Sequence, residues 1–174
     1  VRAVTSYAMG SAKVEYQDAV RYFTVVGAET EPSRLQLMIE VFGTQMDEGK
    51  FIEPGDRTKA NVGFHHFERG LYDGRNLEHN SKLLINQQKF YVAGGFAPIG
   101  NSQDDRMIII PMDTFRELTG VQERVDNIFV QVDPARDPRV VAEELKRSLG
   151  RYRGVDEGDE DFDIETPEEL LESF

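Results

Sequence analysis

Apolar and polar residues alternate at two different periods along this chain, and each change of period marks an element. Lys13-Val14-Glu15-Tyr16 and Tyr22-Phe23-Thr24-Val25-Val26 are β-rich runs on either side of Gln17-Asp18-Ala19, which predicts a hairpin. Pro32-Ser33 opens a short helical stretch, Arg34 to Ile39, with Leu35, Met38 and Ile39 on one face. Glu48 to Asp56 is turn-rich. Asn61-Val62-Gly63-Phe64 reads as a strand, followed by a short polar helix or loop from His65 to about Tyr72. The clearest hairpin pairs Lys82–Asn86 with Lys89–Ala93, and Asn86-Gln87-Gln88 supplies its turn. After a polar loop from Pro98 to Arg106, Met107 to Pro111 is an apolar strand. Asp113 is expected to cap a helix over Thr114 to Thr119 that Gly120 ends.

The last third is the most legible. Asn127-Ile128-Phe129-Val130-Gln131-Val132 alternates at period two, as a half-buried strand does. Pro138 starts a helix that carries Val140, Val141, Leu145 and Leu149 at helical spacing. Phe162-Asp163-Ile164-Glu165-Thr166 alternates again, so strand, helix and strand predict a βαβ-type unit. Thr166 and Pro167 then begin a helix that runs to Phe174 without a stop signal. That helix, and the opening Val1, predict a segment of a longer protein.

Composition narrows the function classes. The 174 residues include 11 Phe and 6 Tyr, enough for an ordered core, but no cysteine. A disulfide scaffold, a thiolate metal site and a cysteine nucleophile are thereby excluded. Net charge is -12, so duplex nucleic acid is not an expected partner. No run approaches the roughly 18 apolar residues of a membrane helix, and no signal peptide opens the chain.

Candidate chemistry is sparse. His65-His66 with Glu68, and the more distant His79, are the potential imidazole ligands, but adjacent histidines point apart and a surface or turn role is expected. Asp104-Asp105 precedes an apolar strand and reads as a turn or cap. Asp156 to Asp163 misses the glycine and the final glutamate of a calcium loop and reads as solvated. Gly94-Gly95 to Gly100 lacks the Gly-Lys-Ser/Thr of a phosphate loop and reads as a bend or bulge. The expectation is no catalytic residue, no metal ligand and no cofactor.

Segments across nearly the whole chain carry a resemblance. Tyr22 to Glu29, Glu48-Gly49-Lys50-Phe51 with Pro54-Gly55-Asp56, Lys82 to Val92, and Asp104-Asp105-Arg106 occur in a telling order. Ile110-Pro111-Met112 with Thr114, Val125 to Val130, the helix around Val141 to Leu149, and Phe162 to Glu169 complete it. Together they resemble the MacB-like periplasmic core domain, the extracytoplasmic part of FtsX/MacB/LolC-type ABC transporter permeases. The stretch between Phe64 and Lys82 departs from that pattern.

The resemblance implies an α+β fold of two lobes. A porter-like βαβ lobe would comprise residues 1–52 and 125–174, and a β-rich sabre-like lobe, residues 53–124, would be inserted between them. It implies a non-catalytic domain that couples ATP-driven movement of membrane helices to export, lipoprotein release or mechanotransmission. The implied partners are an ABC-type ATPase subunit, a second permease protomer, and an extracytoplasmic substrate or adaptor. The membrane would be reached through helices absent from this segment. Two other readings compete: a metal-dependent soluble enzyme using Asp104, Asp105 and a histidine, and a freestanding extracellular binding module.

Charge is not spread evenly. Residues 156–174 hold ten acidic side chains and no basic one, leaving 22 acidic and 20 basic residues in 1–155. The acidic end is expected to stand off an anionic bilayer or to pair with Lys146, Arg147, Arg151 and Arg153.

Overall fold

The first hairpin is longer than its β-branched runs predict. In this computed structural model, which describes residues 1–172, β1 (Ala3–Tyr16) and β2 (Ala19–Ala28) pair antiparallel from Tyr7↔Ala28 to Tyr16↔Ala19. Gln17, at φ 54°, makes the turn. Ala8, Gly10, Ser11 and Ala12 have weak strand preference of their own, so the early part of β1 is held by pairing and burial.

β2 then pairs parallel with β7 (Ile108–Pro111), and β7 antiparallel with β4 (Lys59–Val62). β4 runs parallel to β6 (Gln88–Phe96), and β6 is joined to β5 (Lys82–Ile85) by the expected hairpin. β5 pairs back onto β1 at Val14↔Ile85. The ladder thus closes on the strand where it began, leaving no open edge along that path. β3 (Met46–Gly49) pairs with the end of β6, and β8 (Asn127–Gln131) neighbours β1.

Period-two alternation sorts the strand residues into two cores. Ala8, Ala12 and Val14, Val25, Ala60 and Val62, and Ile108 and Ile110 share one core with Phe115. The intervening Tyr7, Val26 and Ile109 belong to the other, with Met38 and Phe96. On β6 the parity changes midway: Val92 lies in the first core, yet Phe96, four residues on, lies in the second. A bulge accounts for this, because Ala60 pairs with Val92 but Asn61 with Gly94. Gly94 and Gly95 serve that bulge as close-approach positions. A Cβ on Gly95 would fall 1.9 Å from Phe67 Cε2, and one on Gly94 would fall 2.3 Å from Met46 Cε.

Among the described residues the α-helices are α1 (Pro32–Phe42), α2 (His65–Glu68), α3 (Met112–Thr119), α4 (Pro138–Arg153) and α5 (Pro167–Glu172), and Asp104–Arg106 form a 3-10 turn. α1 is capped by Glu31, whose carboxylate accepts from Arg34 N at 3.2 Å, and ends at Gly43 with φ 60°. α3 corrects an expectation. Pro111, at the end of β7, occupies the N-cap position, and Asp113 makes no capping bond. The strand passes directly into the helix, which leaves Asp113 inside the first turn facing Arg116 at 3.8 Å. Ser173 and Phe174, the end of the expected last helix, lie outside the described residues.

The chain parts into two compact units: Ala3–Val130, and Val1–Arg2 with the residues from Gln131 onward. In the second of these, Arg2 N donates to Gln131 O at 2.7 Å, and Asp137 caps α4 by accepting from Arg139 N at 2.9 Å. Phe162 to Thr166, expected as a strand, is coil. Its backbone is committed elsewhere: Ile164 N binds Asp163 Oδ1 at 2.8 Å, and Thr166 forms a reciprocal capping box with Glu169. The βαβ expectation therefore fails at its final strand. The lobes expected at 1–52 with 125–174 and at 53–124 differ from these units, because β1 and β2 close the same sheet as β4 to β7.

Candidate functional site

In the unit Ala3–Val130 the second core is incompletely filled. A cavity of about 110 Å³ lies against α1. Helical spacing builds one wall, because Leu35, Met38, Ile39 and Phe42 fall at i, i+3, i+4 and i+7. Strand parity builds the other: Tyr7 and Met9 from β1, Thr24 and Val26 from β2, and Ile109 from β7. Phe51 and Phe96 pack at a tilt with centroids 5.8 Å apart, and Tyr7, Phe42 and Phe129 form a mutual cluster at 5.5 to 5.9 Å.

Polar groups are few and placed at particular positions. Asn61, 1% exposed, accepts from Ile52 N at 2.9 Å and donates to Lys50 O at 2.8 Å, so its amide is satisfied. The segment before β7 contributes Gln103, Asp104 and Met107. Asp104 is half-buried and has no ion pair or side-chain hydrogen bond among the described residues. Tyr7 is raised above the usual phenol range, first by burial, then by the Asp126 carboxylate, with Asp104 adding to the same effect. Burial works against ionised Asp126, yet Arg124 and the Met9 N–H, at 2.8 and 2.7 Å, hold its pKa low.

His65, His66 and Asp105, singled out in the sequence, lie in or beside this segment. Asp105, 3% exposed, accepts from Ile99 N at 2.8 Å and Gly100 N at 3.3 Å, which is the turn-forming alternative of its expected role rather than a helix cap. His65 Nε2 stands 4.0 Å from Asp105 Oδ2. His66 contradicts the surface role expected for the pair, since it is fully buried. Its Nε2 lies 2.8 Å from the Arg106 carbonyl, which can only accept, so Nε2 donates there and Nδ1 accepts from the Tyr72 hydroxyl at 2.8 Å. Burial pushes the His66 pKa down to about 4 and raises Tyr72. Packing decided this placement: α2 is one turn long, and its inner face meets Phe23 with centroids 4.7 Å apart. Glu68 and His79 are exposed, and no group of three or more acidic or histidine side chains converges among the described residues. The acidic run is solvated, with Lys146 to Glu160 at 3.6 Å and an Arg153–Asp161 pair. Arg147 and Arg151 turn instead to Glu143 O and Ser148 Oγ within α4.

The profile of the MacB-like periplasmic core domain matches residues 1–148. The chain belongs to this family. The MacB-like domain is 30% identical over 164 residues to an uncharacterized ABC transporter permease of Methanocaldococcus jannaschii. That alignment takes in 94% of this chain and 39% of the relative, so the chain spans about two fifths of the relative's length. Its fold matches the periplasmic region of MacB from Actinobacillus actinomycetemcomitans with a TM-score of 0.78 at 13% identity, over 99% of this chain and 75% of the other. The extracellular domain of the noncanonic ABC-type transporter YknZ from Gram-positive bacteria matches with a TM-score of 0.70 at 16% identity, over 90% and 79%. These likenesses establish the α+β fold. The MacB-like domain is an extracytoplasmic domain of an ABC transporter permease, a transporter component. No helix among its described residues is long and apolar enough to cross a membrane.

The sequence reading missed the cavity, although a signal existed. Met9 sits on β1, Met107 immediately precedes β7, and Met38 sits on the apolar face of α1. Methionine adapts its shape to irregular apolar gaps, so its concentration on one side of a sheet is a mark of such a place.

Proposed function

We propose that this domain couples ATP-driven movement of the permease's membrane helices to the handling of a substrate or partner outside the membrane, whether export, lipoprotein release or mechanotransmission. The observation that carries this reading is the division of a permease-family chain into two compact units, with the chain crossing from one to the other at residues 2–3 and 130–131. Two chain crossings can pass a displacement of one unit to the other without unfolding either. The chain itself catalyses nothing in this reading and needs no cofactor. ATP is hydrolysed on a separate nucleotide-binding subunit or domain, and a second permease protomer stands beside the first.

The test is made in the full-length permease reconstituted with its ATPase. Replacing residues 3–130 by a short Gly-Ser joint is expected to leave ATP hydrolysis measurable and to abolish the extracytoplasmic output. Output that survives this replacement would remove the coupling role.

A further inference from the structure

We propose that the cavity against α1 is a binding site for a small amphipathic cation, an aryl or alkyl amine whose apolar body fills the cavity and whose ammonium meets Asp104. The inference deepens the coupling reading by naming the class of substrate that the domain handles, and rests on it for that meaning. Three observations carry it. First, size: a cavity near 150 Å³ accepts a benzene ring, so about 110 Å³ suits one small ring or a short branched alkyl group. Second, chemistry: Met9, Met38, Met107, Phe51 and Phe96 give the occupant an apolar, polarisable surround, and methionine side chains re-pack at small cost. Third, charge: Asp104 is the one carboxylate on the lining, no Lys, Arg or His shares that lining, and its own charge is unpaired among the described residues. A half-buried carboxylate beside apolar surface favours a cationic occupant and disfavours an anionic one.

Asp104 also adds, after burial and Asp126, to the raised pKa of Tyr7, which shares that lining. Gln103 adds a neutral donor and acceptor beside Asp104, suited to a hydroxyl or amide on the occupant.

Benzylammonium is the probe, titrated into the 174-residue chain labelled with ¹³C at its methionine methyls. Met9, Met38 and Met107 are expected to shift saturably, while Met112, in the other core, stays in place. Asp104→Asn should weaken benzylammonium about five-fold and leave neutral benzyl alcohol unchanged. Asp104→Lys should reverse the preference, so that benzoate binds more tightly than benzylammonium. The proposal is overturned if the three methyls do not respond, if benzoate binds the native chain as well as benzylammonium does, or if neither variant alters the order. None of these outcomes depends on ATP, so the site can fail while the coupling reading stands, and the reverse.

Discussion

His66 shows how far one side chain can depart from its neighbour. Its folded pKa, about 4, lies below the roughly 6.5 of an unfolded histidine, so the unfolded chain binds the proton more tightly. The stability tied to neutral His66 is therefore complete above about pH 6.5 and is lost as pH falls toward 4, by up to about 3 kcal/mol. Urea midpoints of the native chain and His66→Gln at pH 7.5, 6 and 5 should converge as pH drops; parallel curves would contradict the assignment. The sequence shows the adjacent pair and its divergent directions, but which histidine turns inward depends on where Phe23 and Tyr72 stand. Gly27 makes a second point at this scale. A Cβ there would lie 2.6 Å from Phe115 Cβ and Cγ, too near the backbone of α3 for a rotamer change to relieve. Gly27→Ala should lower stability by about 1–3 kcal/mol in equilibrium denaturation. A change of a few tenths would mean that α3 shifts freely.

Among the elements, the β5–β6 hairpin was the most legible and offers a stabilising change. Its two turn residues both have positive φ, 45° at Asn86 and 71° at Gln87, the pattern of a type I′ turn. Asparagine tolerates that region and glutamine does not, so Gln87→Gly should raise stability by about 0.5–1 kcal/mol. No gain in thermal midpoint would place the turn in another conformation. Hairpins and capped helices were readable because their determinants are local: Asn-Gln-Gln in the turn, Asp137-Pro138 at the start of α4, and Gly120 at the end of α3. Phe162 to Thr166 misled for the opposite reason. Alternation there has no neighbouring strand to satisfy it, and Thr166 and Glu169 draw the backbone into a cap. The closed ladder of six strands was hidden as well, since parallel pairing of β2 with β7 spans some 80 residues and leaves no local mark.

At the scale of the molecule, the charge of -12 resolves into a near-neutral body and an acidic end that α4 holds, among the described residues, by three ion pairs, from Arg139, Lys146 and Arg153. The Arg153–Asp161 pair is open to solvent, and Lys146 is partly exposed although Glu160 is largely covered, so both are subject to screening. Lys146→Ala with Arg153→Ala should lower the thermal midpoint at low salt and leave it nearly unchanged at 1 M salt. An equal loss at both ionic strengths would assign these residues a packing role. Family membership was legible because the order of short turn and strand signatures runs through most of the chain. The cavity was not, because its lining comes from segments as far apart as Tyr7 and Ile109. The central claim concerns movement between two units within a permease, and the chain is well suited to measuring it, having no cysteine of its own. Spin labels at Tyr22→Cys and Tyr152→Cys, exposed positions of the two units, report their separation by pulsed electron resonance in the full-length permease with its ATPase. The account predicts that the distance distribution shifts between the nucleotide-free and ATP-bound states. A distribution unchanged by nucleotide, in a permease whose ATPase is active, would contradict it.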